Sequence, residues 1–166
     1  MTLLLVKHVK VEKVERLSKH VSYREGVYSR TALRLGINNK PNTKQLRNME
    51  LLADEIFEPL RTYTNGPIKI NSFFRSPELN KAIGGSTKSQ HCHGQAIDID
   101  DTYGHLTNAE MFNFIREHLD FDQMIWEFGD DDNPDWVHVS YVSPKENRNR
   151  CLKAYKHQGK TKYKVI

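Results

Sequence analysis

The chain has 166 residues, 37% of them hydrophobic and 28% charged, which suits one compact domain spanning 1–166 and is hardly long enough for two. No run approaches the roughly 18 apolar residues that a membrane helix requires, so a membrane helix is excluded. The formal charge of +4 is uneven, because from Lys145 onward eight basic residues stand against Glu146 alone.

The opening MTLLLVKHVK has a short apolar run with no basic region before it and no small-residue cleavage site, so synthesis in a cytoplasm without a secretory signal is expected. Residues 1–42 form a lead-in to the first strong periodicity. The spacing of Leu46, Met49, Ala53, Ile56, Phe57 and Leu60 predicts a helix over about 43–60, capped by Asn42 or Thr43 and ended or bent by Pro59. Asn65, Gly66 and Pro67 make a turn, and IKINSFF alternates as a strand does. RSPELNKAIGG predicts a short helix with Ser76 as N-cap, Pro77 at its first position and Gly84 or Gly85 at its end, leaving Arg75 at a strand-to-helix corner.

AIDID alternates again, with Asp98 and Asp100 on one face and Ile97 and Ile99 on the other. TNAE is a capping box that opens a helix through about His118, burying Met111, Phe112 and Ile115. Two strand-like runs follow, FDQMIWEF and WVHVSYV, joined by the acidic loop GDDDNPD. That loop lacks the oxygen ligand and the glycine that an EF-hand needs at its fifth and sixth positions, so Asp130, Asp131 and Asp132 read as a solvated rim.

The last stretch, 145–166, predicts a basic hairpin of CLKAYK and TKYKVI around Gly159. Its lysines suit an edge strand that must not pair with another sheet, or a surface for a polyanion; the segment has no nucleic-acid reading motif. Helices dominate the first half and strands the second without regular alternation. The fold class is therefore α+β, an antiparallel sheet with flanking helices. Cys92 and Cys151 are too few for a disulfide framework and are expected to be reduced.

The segment SQHCHGQAID holds four potential metal ligands, His91, Cys92, His93 and Asp98. His91 and Asp98 are separated by enough chain to fold onto one ion, and antiparallel pairing of a later strand can set His138 beside Asp98. A catalytic zinc site takes three such protein ligands and keeps one position open.

SQHCHGQAID fits Ser-x-His-x-x-Gly-x-Ala-x-Asp; with SFFRSPELN before it and DWVHVSY after it, the core 68–142 resembles the zinc D-Ala-D-Ala carboxypeptidase family. That family includes phage endolysins that cut L-alanyl-D-glutamate bonds and bacterial D-Ala-D-Ala dipeptidases, and it shares its fold with the Hedgehog signalling domain. SRTALRLGINNKP resembles the lead-in of the phage-type members. The resemblance implies Zn2+ held by His91, Asp98 and His138, and makes Cys92 and His93 non-ligands. In an extended segment Cys92 points away from His91, while His93 points the same way and competes.

The resemblance further implies an acidic general base three positions before the last histidine. Here that is Asp135, shorter than the glutamate of other members, with Glu127 as its rival or as a partner that orients a ligand. Arg75 matches the arginine that holds the scissile carbonyl and stabilises the oxyanion. Ser89 is expected to support the metal loop or touch substrate, His93 to stand beside the ligands or the substrate, and Trp136 to wall the cleft. The implied function is a phage or prophage peptidase acting on peptidoglycan stem peptides, at the bacterial wall or within a virion, with the basic tail touching anionic wall polymers. The alternative is a catalytically silent, Hedgehog-like zinc domain that serves as a binding or virion structural module.

Overall fold

The computed structural model describes residues 14–166. The signal-free reading of MTLLLVKHVK, and with it the first part of the lead-in, lies outside the described residues. Two short helices come first, α1 (Tyr23–Val27) and α2 (Arg30–Leu35). Each starts where a serine hydroxyl accepts a backbone N–H three residues on, Ser22 from Glu25 and Ser29 from Ala32.

The long helical segment begins with α3 (Thr43–Leu52), capped reciprocally by Asn42 and Gln45. It widens into one π-helical turn (Ala53–Phe57) and continues as α4 (Glu58–Thr64). Pro59 therefore does not end the helix. The Glu58 N–H reaches back five residues to the Ala53 carbonyl, and the wide turn makes room for a ring that an ordinary helix interior rejects. The segment stops where Asn65 takes φ 51°, at the turn foreseen from Asn-Gly-Pro.

Six strands form one sheet: β1 (Lys69–Ser72), β2 (Ala96–Asp100), β3 (Gln123–Glu127), β4 (Trp136–Ser140), β5 (Arg150–His157) and β6 (Lys160–Val165). Their order is β1-β2-β4-β3-β5-β6. Helix α5 (Pro77–Ala82) follows β1, and α6 (Asn108–His118) lies between β2 and β3. Ser76 caps α5 and a Thr107–Glu110 capping box opens α6.

The sheet is mixed, which corrects the antiparallel expectation: β3 and β5 are parallel, and the other pairs are antiparallel. The cause is the connection from β4 to β5. It is tied to the residues leading into β3, with the Asn149 N–H donating to the Phe121 carbonyl (2.9 Å), the Arg150 N–H to the Asp122 carbonyl (3.1 Å) and Asn149 Nδ2 to Asp120 Oδ1 (2.9 Å). The chain thus rounds the start of β3 and sets off beside it in the same direction.

Strand alternation gives the sheet two different faces. Ile97, Ile99, Met124, Trp126, Val137 and Val139 enter the main core with Met49, Leu60, Phe112 and Ile115. Each such buried side chain contributes roughly 1.5–3 kcal/mol. The opposite face carries Asp98, His138, Glu127 and Ile125, and with Leu152 and Ala154 Ile125 makes a small second cluster. The tail hairpin forms as read, turning at Gln158 and Gly159, both at positive φ. Its exposed Lys160, Lys162 and Lys164 lie on β6, an edge strand of the sheet.

Candidate metal centre and its cavity

Asp98 sits in the middle of β2 and His138 directly opposite it on β4, so the strand register alone brings them together. His91 arrives from a 3-10 turn (Gln90–His93) just before β2. One ligand atom from each of the three lies within 4.8 Å of the others. The Asp98 carboxylate is 2.9 Å from His138 Nδ1, 3.3 Å from His91 Nε2 and 2.7 Å from Arg75 Nη2. His91 Nδ1 is 2.6 Å from the Phe73 carbonyl, which only accepts, so Nδ1 carries the proton and Nε2 faces the cluster with its lone pair.

Burial holds His91 below the usual histidine range, against the opposing pull of the Asp98 carboxylate. Burial opposes ionisation of Asp98, but the two histidines beside it outweigh that and hold its carboxyl well below the usual range. Two imidazoles and an ionised carboxylate, convergent at the edge of a cavity, are the donor set of an open zinc site, and they fit that ion. No other group of His, Cys, Asp and Glu converges in this way among the described residues.

Helix α3 holds the loop that carries His91. Gln45 Nε2 donates to the Cys92 carbonyl and Asn48 Nδ2 to the His93 carbonyl, at 2.9 and 2.8 Å. Gly94 ends the turn at φ 69°, and a Cβ there would lie 2.4 Å from the Gln45 carbonyl oxygen, so the motif's glycine is required by both conformation and contact. The segment is a tight turn and not the extended stretch expected, so His93 does not point the same way as His91. It is exposed and outside the cavity. Cys92 is half-buried, and burial pushes its thiol up.

The cluster opens into a cavity of about 780 Å³. Arg75, Ser89, Glu127 and Trp136 line it; Asp135 does not. Arg75 is held by Nε donating to Ser72 Oγ (2.8 Å) and Nη2 to Asp98, so its Nη1 donates to nothing among the described residues. Glu127, at the end of β3, is buried, and desolvation together with the Asp98 charge pushes its carboxyl up to about 7 against the opposing pull of His138 and Arg75. Asp135 is exposed. Asp135, expected from motif spacing to rank ahead of Glu127, lies just before β4 and outside the cavity lining. Trp136 packs against Phe128 at the cavity wall, ring centroids 5.5 Å apart.

Two contributions escaped the sequence reading. Gln90, given no role there, donates from Nε2 to buried Asp122 (2.8 Å), which Arg148 grips through Nε and Nη2, each at 2.7 Å. This chain of contacts ties the metal loop to the β4–β5 connection. The basic hairpin supplies cavity wall through Arg150, Leu152, Thr161 and Tyr163, which only the parallel β3–β5 pairing makes possible.

Residues 19–140 match the model of a protein family described as Peptidase M15. No curated protein matches the chain.

Proposed function

The chain belongs to the peptidase M15 family of zinc-dependent metallopeptidases, and from that premise we propose that it hydrolyses peptide bonds in peptidoglycan stem peptides, as a DD-carboxypeptidase or an L-alanyl-D-glutamate endopeptidase. The observation that carries the proposal is one cavity lined by three convergent metal donors, a carboxyl raised toward neutrality and a fixed guanidinium.

We assign His91, Asp98 and His138 as the zinc ligands. Zinc held there supplies Lewis acidity toward a substrate carbonyl and an attacking water. Glu127 is the general base. At about 7 its affinity for a proton suits both removal of one from water and delivery to the departing amine. Arg75 donates from Nη1 to the carbonyl oxygen as negative charge gathers on it, and its bonds to Ser72 and Asp98 fix it in advance. Trp136 and Tyr163 line the cavity and narrow the space around the substrate.

The proposal includes a phage or prophage source and action at the bacterial wall, supported by the resemblance of SRTALRLGINNKP to phage-type lead-ins. Exposed lysines of the hairpin add weak adhesion to anionic wall polymers. Digestion of purified peptidoglycan with zinc-loaded protein, followed by mass spectrometry of the new termini, tests the activity. New peptide termini are expected from the wild type and not from Glu127→Gln. Zinc retention without new termini would leave a zinc-bearing binding module instead.

A further inference from the structure

Arg75 stands between two cavities. Beyond it lies a groove of about 610 Å³ that shares Arg75 and Ile83 with the metal-site cavity and runs between the start of α2 and β1. All four residues of β1 line this groove, and β1 is an edge strand that pairs only with β2 among the described residues. An edge of this kind offers backbone N–H and C=O groups to an extended peptide.

The groove is also unevenly charged. Arg30 and Lys69 line it, and no acidic side chain does. The ion pairs among the described residues involve neither of them. Asp100, the cross-strand partner of Lys69, instead accepts from Asn71 Nδ2 (3.1 Å) and from Thr102 Oγ1 (2.9 Å). Arg75, with Nε and Nη2 already engaged, is a fixed post at the junction of the two cavities.

We infer that the groove continues the substrate cleft past Arg75 and takes a carboxylate-bearing segment of an extended peptide, with Arg30 and Lys69 as its charge partners. The substrate class rests on the peptidase proposal; the groove and its two cations, unpaired among the described residues, do not. Exposed cations act on binding and leave the bond-breaking step alone, so they set KM and the preference for a carboxylate over its uncharged amide.

The test uses the stem pentapeptide L-Ala-γ-D-Glu-L-Lys-D-Ala-D-Ala and two amidated versions, one at the glutamate α-carboxylate and one at the C-terminus. Zinc-loaded wild type is expected to bind the free acid about 3- to 10-fold better, by KM, than one of the amides. The version that loses this advantage identifies the carboxylate in the groove. The Arg30→Gln/Lys69→Gln protein is expected to lose the preference with kcat within about twofold of wild type. No preference in the wild type, or equal preference in both proteins, overturns the inference. Equilibrium binding of the same peptides to Glu127→Gln protein, with and without the two groove substitutions, separates the two proposals. Carboxylate-dependent binding that the substitutions abolish upholds the groove even without hydrolysis, whereas hydrolysis indifferent to Arg30 and Lys69 upholds the peptidase and removes the groove.

Discussion

The Asp135 N–H donates to the Glu127 carbonyl at 2.9 Å, so the two residues adjoin through their backbones, yet only Glu127 lines the cavity. Glu127→Gln is therefore expected to lower kcat by about 10²- to 10⁴-fold while zinc stays bound, and Asp135→Asn to stay within about twofold of wild type. Steady-state kinetics beside metal analysis checks this. A dead Asp135→Asn with a working Glu127→Gln would return the base to Asp135.

His91→Ala, Asp98→Ala and His138→Ala are expected to purify without stoichiometric zinc, since each removes one of three convergent donors. His93→Ala should retain it, because that side chain is exposed and outside the cavity. Plasma emission measurement of dialysed proteins distinguishes the two outcomes.

Arg75→Lys keeps a positive charge but cannot hold Ser72 and Asp98 and still present a free nitrogen in the same plane. A fall in kcat of about 10²- to 10³-fold with zinc retained is expected. A change confined to KM would show that Arg75 only binds substrate.

Asp122 predicts a pH dependence of stability. Burial alone would raise its carboxyl, but hydrogen bonds from Arg148 and Gln90 outweigh burial and hold it below the usual aspartate range. Its folded-state pKa lies below its unfolded one, so its stabilisation is complete above about pH 4 and is lost as pH falls through the folded value. Urea unfolding across pH should find Asp122→Asn less stable by about 1–3 kcal/mol at pH 7, the gap closing in strong acid. A gap independent of pH would mean that packing, not charge, is what the substitution disturbs.

Gly94→Ala is expected to cost more than about 2 kcal/mol and to loosen the metal loop, because the new methyl meets the Gln45 carbonyl and the backbone must leave its left-handed conformation. Thermal unfolding measures it. Gly84→Ala is the control: it shares the positive φ (71°) but has nothing within 4 Å of the added atom.

Local signals were the ones the sequence displayed well. Caps at Asn42, Ser76 and Thr107 stand where their side chains predicted, and the alternation in AIDID placed Asp98 opposite the core-facing Ile97 and Ile99. The convergence of His91, Asp98 and His138 was legible because motif spacing and strand pairing agree. What stayed hidden depends on contacts distant in sequence. Nothing near β5 states that Asn149 and Arg150 will bond to the residues preceding β3, and without that fact neither the parallel pairing nor the hairpin's place in the cavity can be read. The order of Asp135 and Glu127 followed motif spacing, and which of the two side chains lines the cavity depends on the backbone just before β4, which spacing does not state.

The hairpin leaves the molecule with a division of labour along its chain. The three convergent donors are complete by His138, within the matched residues 19–140, while the far wall of the cavity comes from Arg150 onward, beyond the match. That wall joins the sheet through one side of β3 and does not touch the pairing of β2 with β4 that sets Asp98 against His138. The hairpin does, however, lie against Glu127, opposite Ala154 on β5, so a different hairpin grafted after β4 would resize the cleft and press on that carboxyl while leaving Asp98 set against His138.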